Sequence, residues 1–428
     1  MARSDAIAVI DFGKTNKKVL VYSRDLELLE KASVNIDAVK REGWICDDIP
    51  SACAWAWSEI KRLGKKHKFA AVGVTTFGAT LAHAGKGGEL VFPVLSYTNE
   101  PPAKVVESFH REFGSPEKLY METGTPVFGL LLRAGVQMYW LKKCFGKRFS
   151  KVDATLGLPQ YIGLQLTGVK SADCTYVGCH SYLYSFKKNG YSSVAVKLGL
   201  PAMVPGPILK PWASLGTVTR EVVEKTGLPA DCLATSGIHD SNASLVPYLI
   251  KGGGKFMLAS TGTWCVFMRL GSRFSPEVKN LCRDVLYFAD AFGRPLKASR
   301  FKGGEEHDHY RDLIMKNNGE DPIAMKFSPD VYGSLVKRSD CFVLPALSKG
   351  SGQFPDSSGR VEGESAFRRD PAYAYHALNL SLAIQTREAV RAAGGLSKGM
   401  PLFIEGGFRN NDIYTRMVSE MFPENDVY

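Results

Sequence analysis

An α/β fold in two related domains, each with a mixed sheet flanked by helices, is what this sequence predicts. The chain has 428 residues, more than one ordinary core organises, so two domains are expected. Its opening runs strand, turn, strand, then an amphipathic helix and a buried strand, the order of an α/β domain. The same hairpin device, two strands joined by a Gly/Thr/Ser tip, returns in the second half without extended sequence identity.

Residues 6–10 are apolar and partly β-branched, Gly13 punctuates, and residues 18–22 are apolar again, which reads as two strands around a turn. A third strand is expected over 28–34. Ile49, Cys53, Ala56, Trp57, Ile60 and Leu63 recur at helical spacing, and residues 70–75 read as a buried strand ending at Phe77 and Gly78. In the second half, strands are expected at 256–259 and 264–268, with 260–263 as the turn. The boundary between domains is placed near 233–237, giving residues 1–236 and 237–428. The glycine run 252–254 then reads as a turn inside the second domain. Residues 373–391 suit a long helix stopped by Gly394 and Gly395. A short strand at 402–405 follows, and Gly406 and Gly407 open a polar helix over 410–421.

Hydrophobic residues make up 45% and charged residues 23% of the chain, an ordinary globular balance. The net charge of +11 is not arranged as a basic run interleaved with aromatics, so a nucleic-acid partner is not expected. The densest basic run, residues 61–68, suits a helix end, where cations complement the dipole. Nine cysteines without metal-like spacing predict reduced thiols. No signal-peptide pattern and no membrane-length apolar run are present, so a cytoplasmic protein without a membrane partner is expected.

The chemistry-bearing residues fall in four groups. Asp11 heads the first hairpin, and Gly13, Lys14, Thr15 and Asn16 form its tip. A carboxylate can hold a Mg²⁺-bound water, and turn amides can nest an anion. The same residues also suit a plain hairpin turn with solvated lysines. Thr261, Gly262 and Thr263 form a matching tip in the second half. The pair of cradles points to a nucleotide more strongly than either alone. His239 and Asp240 follow Gly237, and Asp240 is the candidate general base of phosphoryl transfer to a hydroxyl, with helix capping as its other reading. His239 suits either a substrate hydroxyl or a structural role. Gly406 and Gly407, with Asn410 or Asn411, suit an adenosine loop, and Asn equally suits an N-cap. Residues 303–309 are rich in Glu, Asp and His, but their spacing fits no standard metal set.

This ordered set resembles the FGGY carbohydrate kinases of the actin-like ATPase superfamily over nearly the whole chain. Asp11-x-Gly13-x-Thr15 resembles the first phosphate motif, and residues 74–79 with Gly85 the sugar-side loop. Residues 158–168 resemble a family segment, 237–240 the catalytic-base motif, 260–263 the second phosphate motif, and 405–407 with Asn410 the adenosine motif. The resemblance implies two ribonuclease-H-like domains with an active-site cleft between them, ATP and Mg²⁺ as cofactors, and Asp11 on the metal side. It also implies substrate contacts from Thr76, Phe77, Gly78, Asn99, His239 and Asp240. The implied reaction is phosphorylation of a ketose or polyol by a monomer or homodimer. Residues 298–304 and His239-Asp240 look most like the L-fuculose and L-rhamnulose kinases.

Three departures stand out. Tyr97-Thr98-Asn99 replaces a Tyr-Arg-Asp common in relatives, and residues 375–381 replace an Arg-Ala-x-x-Glu-Gly pattern. The sequence also stops at Tyr428, where relatives usually continue, so the second domain is expected to be short. The alternatives are a xylulose, ribulose or glycerol-type kinase, another actin-like ATPase, and a non-catalytic nucleotide or sugar sensor on the same scaffold.

Overall fold

The computed structural model describes residues 4–251, 255–348 and 351–428, so the glycine run expected as a turn at 252–254 lies outside the described residues. The chain forms two compact units. The first comprises residues 1–251 with 288–294, and the second comprises 252–287 with 295–428.

The first unit is built on a seven-stranded mixed sheet. Ser4–Phe12 pairs antiparallel with Asn16–Tyr22, which pairs antiparallel with Leu28–Asn35. On its other side Ser4–Phe12 lies parallel to His67–Thr76. Alternation explains the hairpin: Ala6, Ala8, Ile10 and Phe12 are buried on one face, and Val19 and Val21 answer them across the turn. The helix Ile49–Leu63 covers the sheet. Asp48 caps it by accepting from the Ser51 amide, and its apolar stripe is buried. Each fully buried aliphatic of that stripe contributes about 1.5–3 kcal/mol.

The expected boundary at 236/237 is displaced to 251/252. The reason is strand pairing. Leu233–Thr235 and Ile238–His239 both lie parallel to His67–Thr76, so the segment carrying Gly237 belongs to the first sheet. This register also sets the site. Phe12 and His239 both stand opposite Thr76, so three parallel strands end together with Asp240 next in the chain. Open α/β sheets bind ligands at such carboxyl ends.

A five-stranded sheet runs in the order Val285–Ala289, Pro295–Phe301, Cys265–Arg269, Met257–Thr261, Leu402–Gly406, and belongs to the second unit except for residues 288–289 at the end of its outer strand. Met257–Thr261 and Cys265–Arg269 form an antiparallel hairpin, and Leu402–Gly406 lies parallel to its first strand, with Gly406 opposite Thr261. The first unit's device is thus repeated: a hairpin tip beside the carboxyl end of a parallel strand. Helix Pro371–Ala392 is capped by Asp370, which accepts from the Ala372 and Tyr373 amides. It buries Tyr375, Leu378 and Leu382 in this unit's core. The basic run after Leu63 is only partly a helix end. Lys66 and His67 both meet Glu30 at 3.0 Å, which ties the next strand to Leu28–Asn35. All nine cysteines are free, with Cys144 and Cys282 exposed. No described helix is long and apolar enough to cross a membrane.

Candidate active site

At the carboxyl ends of the first sheet, Asp240 is the first residue of the short helix Asp240–Ala243, and His239 stands at its N-cap. Its Oδ1 accepts from the Ser241 amide at 2.6 Å, so the capping reading is partly right. Oδ2 takes no protein donor among the described residues, and the side chain keeps 39% exposure. One oxygen is therefore anchored and the other open. Burial pushes the carboxyl up to about 6, aided by the charge of Asp11 and opposed by the Ser241 hydrogen bonds and Lys18.

His239 is buried, and desolvation lowers it to about 4, which keeps the ring neutral. Asn242 Nδ2 faces His239 Nδ1 at 3.3 Å, which leaves the proton on Nε2, 3.3 Å from Asp240 Oδ1. The neutral imidazole thus packs beside the carboxylate without competing for its proton. Gly78 makes this packing possible, because a Cβ there would stand 2.6 Å from His239 Nε2.

Asp11 pairs with Lys18 across the hairpin, Nζ donating to Oδ2 at 2.9 Å, while Oδ1 takes no protein donor among the described residues. The tip residues Thr15 and Asn16 are exposed. Lys17, just past the tip, is buried and turned inward. Its ammonium donates to the carbonyls of Lys14 at 2.9 Å and Ile36 at 3.3 Å, which fixes the turn from beneath.

Three first-unit assignments change. Lys14 does not stand over the turn's anion nest: its Nζ donates to Asp47 Oδ1 at 2.6 Å and Ser96 Oγ at 2.8 Å. Asn99 is not free for a substrate, because its amide donates to the Ile45 and Ser96 carbonyls and its Oδ1 accepts from the Ile45 amide. Thr76 is fully buried and donates to the Phe77 carbonyl, so it supports the loop from within. Phe77 is also buried, 6.3 Å from the Tyr97 ring in an edge-on contact.

A supporting chain stands behind Asp240 that the sequence pattern did not announce. Asp173 Oδ1 accepts from the Thr175 hydroxyl and from the Thr175 and Tyr176 amides. Thr175 Oγ1 in turn accepts from the His239 amide at 3.0 Å. Tyr176 donates to the Thr80 carbonyl at 2.6 Å and stands edge-on to His239, clamping the loop 77–80. The Asp-x-Thr spacing at 173–175 was the available signal, an N-cap pattern without an obvious helix to cap.

In the second unit, Gly262 and Thr263 are exposed at the hairpin tip, and Gly262 donates its amide to the Trp264 carbonyl. The tip rests on the start of helix Gly303–Asn318 so closely that a Cβ on Gly304 would stand 2.2 Å from the Gly262 carbonyl oxygen. Thr261, expected to bind phosphate, instead spends its hydroxyl internally. It donates to the Glu405 carbonyl and accepts from the Phe408 amide at 3.0 Å, which locks the tip to the loop after Leu402–Gly406. Asn410 is exposed in the short turn Gly407–Asn410. Asn411 is corrected to a structural residue. It is buried, caps helix Asp412–Met421 through the Tyr414 amide at 3.1 Å, and donates to Asn379 at 2.8 Å and Tyr375 at 3.2 Å. Asn411→Ala is expected to cost about 2–3 kcal/mol, a lost cap plus stranded buried partners. Urea unfolding checks this, and a loss under about 0.5 kcal/mol contradicts the assignment.

The acidic and histidine-rich stretch 303–309 is also used internally. Glu306 accepts from the Ala346 and Leu347 amides and from Gln385, and His307 meets the Tyr375 hydroxyl at 3.0 Å.

Residues 6–247 match the profile of the FGGY family of carbohydrate kinases, N-terminal domain, and residues 253–428 match that of carbohydrate kinase FGGY, C-terminal domain. An L-fuculokinase of Salmonella typhi is 25% identical over 272 residues, 62% of this chain and 57% of that protein. A rhamnulokinase of Halalkalibacterium halodurans is 24% identical over 264 residues, 60% of this chain and 54% of that protein. The chain thus matches little more than half the length of these relatives. The crystal structure of a carbohydrate kinase from Novosphingobium aromaticivorans superimposes with a TM-score of 0.85 at 26% identity, covering all of this chain and 89% of that one. Family profiles spanning both units, on a fold shared with solved sugar kinases, establish that the chain belongs to the FGGY family of carbohydrate kinases.

Proposed function

We propose that the chain transfers the γ-phosphoryl group of ATP to a hydroxyl of a ketose or deoxy-ketose, L-fuculose and L-rhamnulose being the first acceptors to test. The observation that carries this reading is Asp240: one carboxylate oxygen anchored, the other open, at the point where three parallel strands end. As general base, Oδ2 accepts the acceptor's hydroxyl proton while that oxygen attacks the γ-phosphorus and the bond to the ADP oxygen breaks. The Ser241 amide and hydroxyl hold Oδ1, so the open oxygen keeps its direction. The first-unit tip amides around Gly13, Thr15 and Asn16, and the exposed Gly262 and Thr263 of the second unit, are the groups assigned to phosphate. Gly406, Gly407 and Asn410 are assigned to the adenosine.

The donor chemistry suits Mg²⁺. Asp11 offers a free carboxylate oxygen beside a hairpin tip with an exposed threonine hydroxyl, and Mg²⁺ takes few protein oxygens when it also has phosphate and water. Asp11 would hold the ion, directly or through water, and the ion would supply charge neutralisation on the phosphates.

ADP release with Mg²⁺ and ATP across a panel of ketoses, deoxy-ketoses and polyols tests the reading. Stimulation of at least tenfold by one sugar supports it. ATP binding without stimulation by any acceptor overturns it in favour of a sensor, and acceptor-independent hydrolysis points to another ATPase. The base also sets a pH dependence. Only the ionised carboxylate accepts a proton, and the group titrates near 6, so kcat/KM rises with pH up to about 6 and levels above. A profile flat from pH 5 to 8 removes Asp240 from that role.

A further inference from the structure

We infer that Lys14 serves the acceptor rather than the triphosphate, as a specificity residue whose ammonium, held by Asp47 and Ser96, donates a hydrogen bond to an acceptor oxygen. This rests on the phosphotransfer reading above and refines its acceptor side.

The geometry is a cluster assembled from four separate segments of the first unit, around Lys14, Asp47, Phe77 and Ser96–Tyr97. Lys14 Nζ spends two hydrogens on Asp47 Oδ1 at 2.6 Å and Ser96 Oγ at 2.8 Å. Its third finds no protein oxygen among the described residues. The ammonium lies instead over the faces of Tyr97, 4.4 Å from the centroid, and Phe77, at 5.0 Å. Phe77 precedes Gly78, the residue packed against His239, so its ring sits on the loop that borders the base, with Tyr97 edge-on to it at 6.3 Å. Two fixed partners and two rings hold the lysine in place, and 27% of its side chain remains exposed for a ligand to reach.

Tyr97 links this cluster to the base. Its phenol hydroxyl has no protein partner among the described residues, and its acidity is lowered by burial first and then by the charges of Asp47 and Asp240. A half-buried phenol within electrostatic reach of both carboxylates, beside an ammonium with a spare donor, forms a polar wall for an oxygen-rich acceptor. Asp47 tunes that wall. Its side chain is nine-tenths buried, its Oδ2 has no hydrogen-bond partner among the described residues, and its charge is felt by Lys14, its direct partner, and by the neighbouring Lys17. The pair is neutral as a unit, which suits hydroxyl and carbonyl oxygens better than a carboxylate. Asp47→Asn would free the cation and improve binding of sugar acids.

The experiment measures steady-state kinetics with the neutral ketose or polyol that turns over fastest with the wild-type protein, alongside KM for ATP. Lys14→Met is expected to raise KM for the acceptor at least tenfold while KM for ATP stays within twofold. Because that variant leaves Asp47 buried and unpaired, the double variant Lys14→Met/Asp47→Asn, checked by thermal melting, is made beside it and is expected to show the same acceptor-selective loss. With Asp47→Asn alone, D-gluconate is expected to become a better competitive inhibitor by at least threefold. A rise in KM for ATP with the acceptor KM unchanged overturns the inference and returns Lys14 to the phosphates. Unchanged values of both constants in the folded double variant overturn it too. If the wild-type protein turns over no acceptor, the phosphotransfer reading fails first, and the inference falls with it.

Discussion

Asp240→Asn is expected to lower kcat by about 10³-fold while ATP and acceptor affinities stay within about threefold. The asparagine keeps the Oδ1 contact to the Ser241 amide and fills the same volume. What it cannot do is accept a proton at the open position. Catalysis of phosphoryl transfer rests largely on positioning and charge stabilisation, so a residual rate should survive base removal. The loss should also change the pH profile, because the group titrating near 6 is gone. Single-turnover measurements and calorimetric binding separate the two constants. A variant retaining more than about a tenth of wild-type kcat sinks the assignment, since general bases contribute 10²–10⁴-fold. A variant that loses binding instead would make Asp240 a substrate anchor.

Gly406→Ala is expected to produce the largest loss of stability, about 3 kcal/mol or more. Gly406 has φ +88° and ψ −151°, a region essentially reserved for glycine. A Cβ there would also stand 1.9 Å from the Thr261 carbonyl oxygen. No flexible side chain can yield, because both groups belong to paired strands. The damage therefore spreads from the loop proposed for adenosine to the tip proposed for phosphate, and on that proposal KM for ATP should rise as the melting temperature falls by about 6–12 °C. Gly407→Ala is the internal control. Its Cβ would meet the Thr261 oxygen at 4.0 Å, an ordinary contact, so near-wild-type melting is expected. Equal destabilisation by both substitutions would show that the loop is generally intolerant rather than locked at Gly406.

The strands, helices and hairpin tips were legible in the sequence because they obey local rules. Alternation at residues 6–12 and 18–22, helical spacing at 49–63 and glycine at Gly13, Gly78 and Gly406 need only near neighbours to be read. Asp240 was legible for the same reason, as a carboxylate just past a strand end. The fate of Lys14, Thr261, Asn99 and Asn411 was not. Lys14 is claimed by Asp47 and Ser96, 33 and 82 residues away, and Thr261 by Phe408, 147 residues away. Asn99 and Asn411 carry types that suit ligands and backbone caps equally, and the choice was made by Ile45 and by Tyr375 and Asn379. The domain boundary was misplaced because two residues at 238–239 add a strand to a sheet begun at residue 4. The sequence by itself thus determined the elements, their order and the position of Asp240, the proposed base. The tertiary structure alone decided which polar side chains remain open to a ligand, because hydrogen-bonding capacity is finite and a buried group spends it on whatever the fold brings within 3 Å.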